Sequence, residues 1–94
     1  MDLNKIRAVQ QPARKGSKVR VWFVLYHTTP IGYLEKFRPE RGYTHPWKAF
    51  VFDGNRVNKP NTMVGAFYDT DHGGNMNAKQ AAIAAIIQRH EGGN

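Results

Sequence analysis

The sequence has 94 residues, with 14 Lys and Arg against 7 Asp and Glu, and a formal net charge of +7. A chain of this length forms one domain with one modest core, and its positive charge favours polyanionic partners. Cysteine is absent, which excludes a disulfide-stapled fold and favours a reducing compartment. No apolar run approaches the roughly 20 residues that span a bilayer, and residues 1–13 lack the apolar core of a signal peptide. We therefore expect a cytoplasmic protein without a membrane segment.

Residues 1–18, MDLNKIRAVQQPARKGSK, are predicted to form a basic N-terminal arm. Pro12 and Gly16 interrupt the segment, and its apolar content is too low to anchor it strongly, although a helical turn near its start is compatible with the pattern. Five basic side chains stand against the single acid Asp2, namely Lys5, Arg7, Arg14, Lys15 and Lys18. We expect the arm to add electrostatic contacts to a polyanion.

Four stretches rich in β-branched and aromatic residues predict strands. VRVWFVLYH stops at TTP and restarts as IGYLEKF, which predicts two strands joined by a short hairpin. WKAFVFDG and TMVGAFYD follow, separated by the turn residues RPERGYTHP and the polar loop NRVNKPN. This spacing is typical of an antiparallel meander.

A single helix is predicted after the strands, because NAKQAAIAAIIQRH consists almost entirely of good helix formers. Asn77 and Gln80 have the spacing of a capping box, and an apolar stripe comprises Ala82, Ile83, Ile86 and Ile87. The predicted fold is therefore α+β: an antiparallel β-meander of three to four strands, followed by one C-terminal helix packed on one face. The domain is expected to cover residues 19–90, with a flexible tail at 91–94.

Both faces of the predicted sheet contain large apolar side chains, and one short helix can cover only one of them. Alternation places Arg20 beside Trp22 on the first predicted strand and Lys48 beside Phe50 on the third. We expect these pairs to share a basic and aromatic surface that the helix leaves uncovered.

The segment GAFYDTDHGGNMN raises the possibility of a metal or phosphate site ahead of the helix. Asp69, Asp71 and His72 are suitable ligand types, but their spacing matches no EF-hand or HExxH motif, and Gly73 and Gly74 do not form a P-loop sequence. A solvated turn whose acids favour the helix N-terminal dipole is the preferred interpretation. We predict no metal site and no cofactor.

The sequence contains few residues of the types that act as nucleophiles or general bases in catalytic sites. Ser17 is the single serine and lies in the basic arm, while the four histidines are scattered along the chain. His27 and His45, at strand ends, are expected to be turn or surface residues. We predict a binding protein with no catalytic residues.

The C-terminal half, WKAFVFDG to AKQAAIAAI, resembles the AP2 and integrase N-terminal type of DNA-binding module. The comparable positions are Trp47, Gly65, Phe67, Ala78, Ala81, Ala82 and Ala85. The resemblance implies a sheet that enters the major groove, with the basic and aromatic residues of the strands reading the DNA. The long loop at 69–77 and the strand at Trp22 depart from that pattern.

A second resemblance is to the double-stranded RNA-binding domain, whose last helix also follows a sheet and starts much as AKQAAIAAI does. That family has a defined opening helix and a lysine cluster on its second helix. In this sequence the predicted helix has one lysine, Lys79. DNA is therefore favoured over RNA. The cysteine-free, basic and small character of the chain is also similar to that of bacteriophage accessory proteins.

Together these features predict a small nucleic-acid-binding protein that acts through a basic and aromatic sheet face and the N-terminal arm. The expected contact residues are Arg14, Lys15, Lys18, Arg20, Trp22, Lys36, Arg38, Lys48 and Phe50. The alternative is a protein-interaction module or homodimer, such as a phage-type inhibitor of a host protein, in which the second sheet face is the contact surface.

Overall fold

The computed structural model describes residues 3–13, 15–38, 45–52, 62–69 and 77–92. A short 3-10 turn at Leu3–Lys5 leads into five strands and one helix. The strands are β1 (Ile6–Gln10), β2 (Val19–Tyr26), β3 (Thr29–Phe37), β4 (Trp47–Val51) and β5 (Thr62–Phe67), and the helix is α1 (Ala78–Gly92). The strands form one antiparallel sheet in the order β1-β2-β3-β4-β5. The predicted α+β fold, a meander followed by one helix, is confirmed.

The sheet contains one strand more than the three to four predicted, because part of the basic arm pairs with it. Residues 6–10 lie antiparallel to β2, with Ile6 opposite Tyr26 and Gln10 opposite Trp22. The segment IRAVQ is too short and too polar to indicate a strand alone, and an edge strand gains its stability from the neighbour it pairs with. The arm's first half is therefore part of the sheet.

The β2–β3 hairpin turns at His27 and Thr28, slightly earlier than TTP suggests. Tyr26 pairs with Thr29, and His27 adopts a positive φ of 57°. Pro30 lies inside β3, at the irregularity between Val24 and Leu25 of β2. A β-bulge is one of the few places where a sheet tolerates proline, which explains why the strand continues through a residue that signals a break.

The predicted capping box at the start of α1 is confirmed. The backbone N–H of Gln80 donates to Asn77 Oδ1 at 2.8 Å, and the Asn77 N–H donates to Gln80 Oε1 at 3.2 Å. These bonds satisfy backbone donors that a helix start leaves without partners. The helix runs to Gly92, two residues into the predicted tail, and positions 93–94 lie outside the described residues.

The core lies between α1 and one face of the sheet, which we call the helix face. Its fully or almost fully buried side chains are Val24, Ile31, Leu34, Ala49, Val51, Ala82 and Ile86. On the helix, the most buried line is Ala78, Ala82 and Ile86, whereas Ile83 and Ile87 of the predicted stripe are half-buried. The small residues at 78 and 82 let the helix lie close to the sheet.

Candidate nucleic-acid interface

Four basic residues meet at one end of the sheet, where β2 begins and β3 ends. Arg20 lies directly opposite Lys36, and the Arg38 backbone N–H donates to the Lys18 carbonyl at 2.9 Å. We call this group, Lys18, Arg20, Lys36 and Arg38, the basic end. All four were predicted contact residues, and the antiparallel register brings them together.

Arg20 and Lys36 form a like-charge pair across the two strands. The flanking hydrogen bond makes theirs a hydrogen-bonded pair, in which the two Cα atoms lie about 5.5 Å apart. Like charges placed directly opposite each other in a sheet are destabilising. Among the described residues, no carboxylate lies within 4.0 Å of the Arg20 guanidinium. The positive charge of Arg20 is therefore unpaired within the described part of the chain.

Lys36 is held in place by its neighbours. Its ammonium group donates to the His45 carbonyl and lies 3.6 Å from Asp69 Oδ2. The Lys36 side chain is 16% exposed, whereas that of Asp69 is 58% exposed. Because the Asp69 carboxylate is more than half exposed, solvent screens its attraction to Lys36, so Asp69 offsets only part of the positive charge at this end.

An aromatic and cationic cluster joins the basic end to the start of α1. The rings of Trp22 and Trp47 lie 4.9 Å apart at a 49° tilt. Lys79 Nζ is 5.1 Å from the Trp22 ring centre and 5.8 Å from that of Trp47, and Lys36 Nζ is 5.6 Å from Trp47. These distances are within the range of cation–π attraction. The cluster fixes two ammonium groups over two half-buried indole rings.

Lys79 and Trp47 were not among the predicted contact residues. The sequence marks Trp47 as a position of the AP2 resemblance and Lys79 as the one lysine of the predicted helix. Trp47 comes near Trp22 through the register between the strands, and Lys79 comes near it through the docking of α1, and no local pattern specifies either relationship.

The expected surface combining Arg20 and Trp22 with Lys48 and Phe50 is wrong. Trp22 pairs with Leu34, which pairs with Ala49, so Trp22 lies on the helix face. Phe50 pairs with Tyr33, and each of these residues is next in its strand to a member of the Leu34–Ala49 pair. Phe50 and Tyr33 therefore lie on the opposite face of the sheet, which we call the second face. Arg20 and Trp22 do share one face, and Lys48 and Phe50 do share one face, as alternation predicts. The register between the strands places the two pairs on opposite faces.

The second face contains a cluster of aromatic rings. Tyr33 stacks on Phe50 at 4.7 Å with an interplanar angle of 6°, and Phe52 contacts both Tyr33 and Phe23. Lys48 Nζ lies 5.2 Å from the centre of the Phe37 ring and opposite Glu35. No helix or other strand in the described ranges covers this face. Lys48 thus lies near the basic end but points away from Trp22.

Of the remaining predicted contacts, Lys15 lies exposed in the turn between β1 and β2, and Arg14 lies outside the described residues. Asp71, His72, Gly73 and Gly74 also lie outside them. Within the part of the chain that the structure describes, no three His, Asp or Glu side chains are grouped as a metal site would require.

No helix in the described ranges is long and apolar enough to cross a membrane. Comparisons of the chain with protein-family models, with curated proteins and with solved structures gave no match.

Proposed function

We propose that this protein binds nucleic acid through the basic end and the adjoining Lys79, with DNA favoured over RNA by the resemblance to AP2-type modules. The observation that carries the proposal is the direct pairing of Arg20 with Lys36, flanked by Lys18 and Arg38. A row of phosphates supplies negative charge to four cations that the two strands bring together, beyond what Asp69 provides.

The like-charge pair gives the proposal its physical basis. Placing Arg20 opposite Lys36 costs stability in the isolated protein, and that cost is relieved when phosphate oxygens lie between the two cations. Guanidinium groups bind phosphate in a bidentate manner, and binding releases condensed counterions from the nucleic acid. The stored repulsion therefore favours the bound state.

The two tryptophans have a supporting role in this proposal. Trp22 and Trp47 are half-buried and packed against the core, with Lys79 over both rings. Their contact orients the ammonium groups of Lys36 and Lys79 toward the same end of the sheet. Phosphate contact is assigned to the cations, and the indoles hold them in position.

The test is the salt dependence of binding for Arg20→Gln/Arg38→Gln. Each lost phosphate contact reduces the slope of log affinity against log salt by about 0.9 for duplex DNA and about 0.7 for single strands. We expect a slope shallower by about 1.8 on duplex, and weaker binding at low salt. Random duplex DNA, single-stranded DNA and RNA are compared in the same titration.

The matched control is Lys5→Gln/Arg89→Gln, which removes the same charge from exposed positions. Lys5 precedes β1, and Arg89 lies in the last turn of α1, away from Lys79 in its first turn. This variant should retain most of the slope. Equal slopes for the two double variants would show that binding follows net charge alone, and the absence of binding by the unaltered protein would overturn the proposal.

The aromatic second face favours another candidate function, the binding of a protein partner. Besides the half-buried rings, Val9 and Met63 are 39% and 46% exposed on this face. Aromatic residues and methionine are enriched at protein interfaces. In that case, the affinity of the unaltered protein for its partner should depend little on salt. Tyr33→Ala should abolish partner binding, and Arg20→Gln/Arg38→Gln should leave it unchanged.

A further inference from the structure

The outer edge of β1 has a backbone pattern that matches a second copy of itself. At the two ends of β1, the His27 N–H donates to the Lys5 carbonyl and the Gln11 N–H donates to the Val21 carbonyl. Bonding alternates along an antiparallel pair, so the odd-numbered residues of β1 bond to β2. The N–H and C=O groups of Ile6, Ala8 and Gln10 therefore point away from the sheet. No strand within the described residues pairs with them.

We propose that β1 pairs antiparallel with β1 of a second copy, about a two-fold axis at Ala8. Ala8 then lies opposite Ala8 of the second copy, and Ile6 lies opposite Gln10. This register is the one that brings all three outward-facing residues opposite outward-facing residues. Each pair exchanges an N–H and a C=O in both directions, so every outward group of β1 is satisfied. The two sheets become one continuous sheet.

Side chains distinguish this register from its neighbours. With Ala8 on the axis, Arg7 lies opposite Val9 of the second copy. A shift that centred the axis on Arg7 would place two guanidinium groups face to face, which is unfavourable. A shift that centred it on Val9 would leave the outward groups of Ile6 without partners.

The proposed register keeps the basic ends of the two copies far apart, which limits the repulsion that a net charge of +7 would cause. β1 runs toward the basic end, since its last residue, Gln10, lies opposite Trp22, two residues from Arg20. Antiparallel pairing reverses this direction in the second copy, so the two basic ends lie at opposite ends of the joined sheet. Their repulsion is therefore weakened by distance and by salt. The dimer leaves both basic ends exposed for phosphate, but it does not depend on nucleic-acid binding.

The first test is sedimentation equilibrium without nucleic acid, comparing the unaltered protein with Ala8→Pro. Proline is tolerated on an edge strand where the N–H faces outward, so the monomer fold should persist, as checked by circular dichroism. Because each chain loses one intermolecular donor, we expect dimerisation to weaken by about tenfold or more. Ala13→Pro, outside the strand, is the control and should dimerise normally. A chain that stays monomeric at all concentrations, or an undiminished Ala8→Pro dimer, would overturn the proposal.

The second test determines the register by disulfide cross-linking. Because the chain has no native cysteine, each single-cysteine variant carries one thiol at a known position. In the proposed register the two Cα atoms at position 8 lie about 5.5 Å apart, within the range of a disulfide. Ala8→Cys should therefore form a covalent dimer under mild oxidation. Arg7→Cys and Val9→Cys, whose counterparts lie two positions out of register, should cross-link far less. Preferential cross-linking at position 7 or 9 would contradict the two-fold axis at Ala8.

Discussion

The backbone of Gly32 in β3 lies directly against the side chain of Ile86 in α1. A Cβ atom at position 32 would lie 2.8 Å from Ile86 Cγ2 and 2.3 Å from the Phe50 carbonyl oxygen. Real Cβ atoms do not approach other atoms so closely, and the carbonyl belongs to a neighbouring strand that cannot move alone. Glycine at this point therefore sets how closely the helix approaches the sheet.

Gly32→Ala should destabilise the fold by about 1 to 3 kcal/mol, the usual cost of forcing extra volume into a packed core. Chemical denaturation with urea measures the change. Gly92→Ala is the control, because nothing lies within 4 Å of a Cβ at that position, and its effect should stay within about 0.5 kcal/mol. A Gly32→Ala protein as stable as the unaltered one would show that helix and sheet separate more easily than this packing implies.

Ile86→Ala should be the most damaging truncation on the helix, because Ile86 is fully buried whereas Ile83 and Ile87 are half-buried. Truncation of a buried isoleucine costs about 2 to 5 kcal/mol, and the cost decreases with exposure. Thermal and urea unfolding of the three single alanine variants gives the order. Equal losses at 83 and 86 would mean that the helix is rotated relative to the packing described above.

Asn77→Ala should cost about 1 kcal/mol, because it removes the acceptor for the Gln80 N–H at the first turn of α1. Gln80→Ala should cost less, since the bond it loses is longer at 3.2 Å. A double-mutant cycle measures how far the two bonds support each other. Strict additivity of the two losses would indicate that the reciprocal bonds act independently.

His27→Gly should raise stability by about 1 kcal/mol. His27 adopts a positive φ of 57° in a two-residue hairpin turn, a conformation that costs a non-glycine residue about 1 to 2 kcal/mol. The gain is reduced by loss of the edge contact between the His27 and Tyr26 rings, 4.5 Å apart. His27→Ala also loses the ring contact but keeps the strain, so it should be less stable than His27→Gly. The reverse order would show that the strain at position 27 is smaller than the extra chain entropy that glycine loses on folding.

Trp22→Ala should unfold the protein or cost about 3 to 5 kcal/mol, because Trp22 packs against Trp47 and the helix-face core. Lys79→Met separates the charge from the packing, since it removes the ammonium group over both indoles and keeps an unbranched apolar side chain of similar length. We expect Lys79→Met to change stability by about 1 kcal/mol or less and to weaken nucleic-acid binding. Unaltered binding would remove Lys79 from the interface.

Local chemistry made four of the five strands, the hairpin and the helix cap predictable from the sequence. β2 and β5 are rich in β-branched and aromatic residues, and the Asn77–Gln80 pair has the three-residue spacing of a capping box. Each of these signals lies within a few neighbouring residues, so a single sequence contains it in full. The alternation of Trp22 with Phe23 and of Ala49 with Phe50 was predictable for the same reason.

Relationships between elements were not predictable in this way. Whether Trp22 shares a face with Trp47 or with Phe50 depends on a register that one residue of slippage would reverse. The strand at Ile6–Gln10 exists because β2 offers it an edge, and the segment itself carries no strong strand signal. Lys79 reaches the two tryptophans only because α1 docks with its first turn at that end.

The order of the strands in the sheet also bears on how the molecule folds. Each strand pairs with its neighbours in the chain, so the sheet grows through short loop closures, of which the two-residue turn at His27 and Thr28 is the shortest. Contacts between near neighbours favour fast folding for a β-rich chain. However, Leu34 and Ala49 are buried only when α1, the last element in the chain order, arrives. We expect the β2–β3 hairpin to form early and the core to close last, so that a nascent chain ending before Ala78 exposes its helix face to aggregation or to a chaperone.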